Sequence, residues 1–146
     1  MIMDYFILEP EVAGGLGDNT IMDTSVHPPR VEQLHYEIDY GWLGDELLES
    51  YPCYIVTQNL ASSLATSGLG RFELDEAEVS LTPEAQEEHE GKEIPRFQWL
   101  RVTGIAGQDD LGVTSKGQLV VSERALQVLQ TAAVDNCDIE PYTADR

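Results

Sequence analysis

Basic residues are scarce in this sequence. Eight lysines and arginines stand against 27 aspartates and glutamates in 146 residues, a formal net charge of −19. That balance excludes the usual footprint of a nucleic-acid binder, which needs clustered cations to displace counterions from phosphate. It also repels anionic membrane. Histidine is sparse too: His27, His35 and His89 form no HxH or HxxxH pair, so no zinc-ligand spacing is present. The two cysteines, Cys53 and Cys137, have no metal-ligand spacing around them. Free thiols in a cytosolic protein are the default reading for such a pair, with a disulfide left open. No long apolar run exists. The stretch "YPCYIVTQNLASSLATSGLG", residues 51–70, carries no charge, but Pro52, Gln58, Asn59, its Ser/Thr residues and Gly68 make it too polar for a span. The opening "MIMDYFILEPEVAGG" lacks the basic n-region of a signal peptide. A soluble, cytoplasmic chain is expected.

What is present is enough for a core. Apolar residues make up 42% and charged residues 24%, ordinary values for one globular domain over residues 1–146. Spread evenly, the net charge is roughly one per 400 Å² of folded surface, too sparse to act beyond the screening length. It is not even. Residues 72–93 hold nine acids against Lys92, and residues 30–50 hold six against Arg30. Solvated faces account for such clusters, and so does a field that steers basic partners.

The periodicity predicts an α+β fold, mostly antiparallel, with two or three helices. "DYFILEP" reads as a strand and "AGGLGDNT" as a turn-rich loop, its glycines supplying positive φ. "QLHYEIDY" alternates Leu34, Tyr36 and Ile38 with His35, Glu37 and Asp39, the period of a strand with one face buried. A helical turn is expected around Asp45–Glu49. "CYIVT" followed by "QNLASSLATSG" reads as strand then helix, with Thr57 as N-cap and Gly68 as stop. "LVVSERALQVLQ" repeats that pattern with Ser122 as cap. The two units superpose at an offset of 65, placing Thr57 on Ser122, Leu64 on Leu129, and Phe72 and Leu74 on Cys137 and Ile139. Duplication and convergence on a common strand–helix–strand pattern both produce such a match. Between the units, "SLTPEAQEEHEGKEIP" lacks an apolar stripe and reads as an exposed acidic helix or loop capped by Thr82.

Catalytic patterns are absent by inspection. "AGGLGDN" has neither GxGxxG spacing nor the lysine of a phosphate loop, and Ser122 lacks the glycines of a nucleophile elbow. His35, Glu37 and Asp39 share a strand face that alternation alone explains, and Cys53 sits in a core-like strand where thiols are inert packing. Asp109 and Asp110 in "GQDDLG" lack an EF-hand ligand series. No metal and no cofactor is expected. The dense carboxylates suit display instead, since complementary charge speeds association with a basic partner.

The segments "LEPEVAGGLGDNTIMDTSVHPP", "LHYEIDYGWLGDELLESYPCYIVT", "WLRVTGIAGQDDLG" and "LVVSERALQVL" together resemble a family of small bacterial proteins, the immunity proteins of polymorphic toxin systems. The resemblance runs from about Tyr5 to Ile139 and is weakest over residues 75–94. It implies an inhibitor that binds a toxin made by the same cell or injected by a sibling cell, with no catalytic residues to carry over. It does not fix the toxin's chemistry; the acidic clusters add the expectation of a cognate toxin with a basic active-site surface, a nuclease or another toxin domain. From the residues themselves, the contact is expected where an aromatic anchor meets carboxylates: Asp39, Tyr40, Trp42, Asp45, Glu46 and Glu49, with Asp109 and Asp110 as a second acidic pair. The carboxylates are expected on display and Trp42 at least half buried beneath them. Two other readings stand beside this one: a small enzyme pairing Asp109/Asp110 with His27 or His35, and a general acidic adaptor or nucleic-acid mimic.

Overall fold

The computed structural model describes residues 4–143. In chain order the first elements are β1 (Tyr5–Glu9), β2 (Gly14–Leu16), β3 (Ile21–Asp23), β4 (Arg30–Gln33) and β5 (His35–Ile38). A hairpin of β6 (Leu47–Ser50) and β7 (Cys53–Thr57) runs into α1 (Gln58–Ala65), followed by β8 (Phe72–Asp75) and β9 (Glu78–Leu81). Then come α2 (Pro83–Glu88), β10 (Phe97–Val102), a second hairpin of β11 (Leu111–Val113) and β12 (Leu119–Ser122), α3 (Glu123–Leu129) and β13 (Asp138–Tyr142). This is the α+β, mainly antiparallel architecture the periodicity predicts.

Two four-stranded sheets carry the fold, ordered β6-β7-β10-β8 and β11-β12-β1-β13. They have the same plan. In each, a hairpin leads into a helix, the helix returns a strand two places along, and an antiparallel strand fills the gap. The filler comes from a different part of the chain in each half: β10 follows the first unit, whereas β1 precedes everything. Register settles the comparison. Thr57 faces Phe97 and Ser122 faces Tyr5, while Leu100 faces Leu74 and Leu8 faces Ile139. The offset of 65 seen in the helices therefore extends through the ladders, with Leu100 on Leu8.

Polar details repeat with the backbone. Thr57 and Ser122 each accept a hydrogen bond from the amide three residues on, capping their helices. Each cap hydroxyl donates to a carboxylate at the hairpin entrance, Thr57 to Glu46 at 2.7 Å and Ser122 to Asp110 at 2.7 Å. Asn59 and Arg124, again at matching positions, donate to the same two carboxylates. Chance convergence on caps and apolar periods does not account for shared ladders and shared buttresses. The two halves are structural copies.

Their inner faces meet in one core. Leu8, Leu119 and Val121 from one sheet and Leu47, Tyr54 and Val56 from the other pack with Leu60, Leu64, Leu126 and Leu129 of the helices. A second core lies on the far side of the first sheet. There Leu34 and, from β5, Tyr36 and Ile38 cover Leu48, Ile55, Phe97 and Trp99, which is why β7 is buried on both faces. The covering sheet has the order β2-β5-β9 and includes a parallel β5–β9 pair.

Three local expectations are corrected. The segment after Asp45 is strand β6, not a helical turn, because Leu47 and Leu48 both go into cores on opposite sides of the sheet. Gly14 lies in β2, not in a turn, and a Cβ there would overlap the Glu37 carbonyl. Close approach, rather than positive φ, demands that glycine. His35 is 7% exposed, not on an open polar face, because its ring packs where a side chain at Gly17 would stand.

Candidate functional site

The segment 39–46 is held from beneath by two buried carboxylates. Glu11, 8% exposed, accepts from the Leu43 amide at 2.7 Å and from the Asp45 amide at 3.4 Å. Asp45, 1% exposed, accepts from the amides of Asp135 and Asn136 and from Asn136 Nδ2, at 3.1, 2.8 and 2.9 Å. Asp45 thus ties the entrance of one half to the loop after the other half's helix. Trp42 Nε1 donates to the Asp45 carbonyl at 3.1 Å, and its half-buried ring meets Phe97 and His89, each at a centroid distance of 5.8 Å. At the end of α2, Glu88 accepts from the Gly41 amide at 2.9 Å. The acidic helix therefore clamps this loop.

Most of the carboxylates expected on display are structural. Asp45 is buried, and Glu46 is spent on the cap of α1 and on the Ala133 amide. Burial works against ionisation of Glu46, but hydrogen bonds from Thr57, Ala133 and Asn59 outweigh it and hold the carboxyl below its usual range. Asp110 shows the same balance, with Arg124 and Ser122 overcoming burial. Asp109 accepts from the Ile105 amide and lies 3.6 Å from Arg71. The pairs Asp45–Glu46 and Asp109–Asp110 hold equivalent places in the two halves, so they do not join into one acidic surface. Glu49 is half-buried, and burial together with the Glu9 charge pushes its pKa up. Asp39 remains exposed, accepting from Thr82 Oγ1 at 2.8 Å.

What stands out is apolar. Tyr40 and Leu43 are each 67% exposed and Val12 is 66% exposed. Val12 lines both the hollow beside Tyr40 and the one beside Leu43, which places the three on one stretch of surface, an apolar knob. Asp39, Glu37, Glu9, Glu49 and Asp138 line those same hollows. Of this group, sequence reasoning named Tyr40, Asp39 and Glu49 and missed Val12, Leu43, Glu9 and Asp138. Their one signal was apolar residues at Val12 and Leu43 that fit no strand or helix period.

The structure does bring a histidine to a hydroxyl. His35 Nε2 lies 2.8 Å from Ser80 Oγ, with Glu78 3.7 Å from the same nitrogen. However, His35 Nδ1 accepts the Asn19 amide at 3.3 Å, so in the neutral ring the proton sits on Nε2. That nitrogen donates to Ser80 and cannot take its proton, which is the reverse of what a nucleophile needs. The hollow lined by Asp109 and Asp110 includes neither His27 nor His35. Both thiols are free, and burial pushes Cys53 and Cys137 up to about 12. Among the described residues no carboxylate, histidine and cysteine group is arranged to hold a metal ion, and no helix is long and apolar enough to cross a membrane. No protein-family model and no curated protein matches the sequence.

Proposed function

We propose that this chain is a protein inhibitor of the immunity type, which binds a basic cognate toxin and covers its active site. The observation that carries the reading is the knob of Val12, Tyr40 and Leu43, three exposed apolar side chains on a backbone pinned by the buried Glu11 and Asp45. An exposed apolar cluster with an acidic rim, rigid before binding, has the anatomy of an interface core. The net charge of −19 supports a basic partner and rapid encounter. The resemblance to toxin immunity proteins supports the class of that partner.

The test couples capture to protection. Tagged protein is used to capture partners from its native host at about 150 mM and about 500 mM salt, conditions that separate specific contact from diffuse charge. One stoichiometric partner is expected to survive high salt, to kill cells when expressed alone, and to be neutralised by co-expression. Tyr40→Ala with Leu43→Ala should abolish that neutralisation while leaving the far-ultraviolet circular dichroism and the melting temperature close to those of the wild type. A scatter of basic proteins lost at high salt supports a general acidic adaptor instead. Full protection by the double variant removes this knob from the interface.

A further inference from the structure

The two halves differ on the outer faces of their sheets, in charge and in cover. In the first half Arg101 lies over the Trp99 ring, 4.5 Å from its centroid, and donates to Asp75 at 3.0 Å. Register fixes the counterparts in the second half. Trp99 faces Asp75 as Ile7 faces Glu140, and Arg101 faces Glu73 as Glu9 faces Asp138. The position of the arginine is therefore a glutamate, directly opposite an aspartate and diagonal to a second glutamate. Like charges opposite one another weaken a ladder. No ion pair among the described residues involves Glu9, Asp138 or Glu140, and Lys116, which lines the same hollow, pairs with none of them.

The cover differs as well. In the first half the sheet of β2, β5 and β9 closes the outer face, leaving Trp99 6% exposed. In the second, the backbone at Ile105 and Ala106 closes only over Gly112, where a Cβ would overlap it. A hollow of about 500 Å³ remains beside Ile7, with Ile105 at its lip 57% exposed. Glu9 and Asp138 line both this hollow and the one beside Leu43, so it is continuous with the Val12–Tyr40–Leu43 knob.

We propose that this outer face receives an arginine side chain of a basic partner protein. Its guanidinium takes the place that Arg101 fills in the first half, between Glu9, Asp138 and Glu140, and its aliphatic stem lies along Ile7 and Ile105. A planar, forked cation with an apolar stem matches the site, since it pairs with two carboxylates while packing on aliphatic carbon. The inference deepens the reading above, on which it rests for the identity of the partner.

The probe is a capped hexapeptide, Gly-Val-Arg-Val-Arg-Gly, titrated into the ¹⁵N-labelled full chain, beside a control with both arginines replaced by glutamine. Saturable shifts are expected at Ile7, Glu9, Ile105, Asp138 and Glu140 with the arginine peptide only. Glu140→Gln should weaken binding by about fivefold or more, in line with loss of a charge-assisted bond. Glu9→Arg supplies the cation within the chain, so it should raise Tm and abolish peptide binding. Equal shifts across every acidic cluster, equal binding of the glutamine peptide, or a Glu9→Arg variant with lower Tm and unchanged binding each overturn the proposal. Peptide binding fails independently of the toxin assay: a captured toxin that needs only Tyr40 and Leu43 leaves the inhibitor reading intact without this seat.

Discussion

Replacing Asp45 by alanine is expected to be among the most damaging single changes in the protein, although the sequence places it in a run of apparently displayed acids. Its carboxylate accepts three hydrogen bonds from residues 135 and 136, and it is 1% exposed. Bonds to a charged group contribute about 1.5–3 kcal/mol each. The upper end does not apply, because Asp135 and Asn136 are exposed and water can reach the freed donors. The lower end, summed over the three bonds, gives a loss of about 4–5 kcal/mol, a large part of the ~5–15 kcal/mol typical of a domain. In urea, with a mid-range slope of about 2 kcal/mol per molar, the midpoint should fall by roughly 2 M. Asp39→Ala, at an exposed carboxylate in the same loop, should stay within about 0.5 kcal/mol. A midpoint for Asp45→Ala within ~0.3 M of the wild type would refute the argument that this carboxylate fastens the two halves.

Thr57→Ala and Ser122→Ala should each cost about 1 kcal/mol, since both remove a cap and one of the hydrogen bonds to a buttressing carboxylate; thermal melts of the pair compare the two halves. Gly17→Ala should destabilise by about 1–3 kcal/mol through overlap with the His35 ring, measurable by denaturant unfolding, whereas Gly15→Ala, with open space around it, should be far milder. Glu46 and Asp110 have depressed folded pKa values, so the stability they contribute is present above their ordinary values of 4.5 and 3.8 and is lost as pH falls. Glu46→Gln with Asp110→Asn should therefore flatten the acid limb of the stability profile. Glu49 has the opposite sign: its raised pKa means that ionisation disfavours the folded state, so Glu49→Gln should raise Tm at pH 7 and lose that advantage below about pH 4.5.

The helices, their caps and the alternation of β5 are legible in the sequence. These are local matters: a hydroxyl three residues before an amide, or an apolar residue every second position, acts within a few residues of chain. It also showed the repeat between residues 57–74 and 122–139, because caps and core positions recur at a constant spacing. That the repeat extends to whole sheets is not legible there, since the third strand of each sheet comes from outside the repeat, β1 in one half and β10 in the other. The same holds for charge. Asp39 and Asp45 look alike in sequence, yet one is solvated and the other buried, because exposure of a carboxylate depends on which amides the fold brings to it. Glu9 is far in the chain from Asp138 and Glu140 and meets them only through the pairing of β1 with β13.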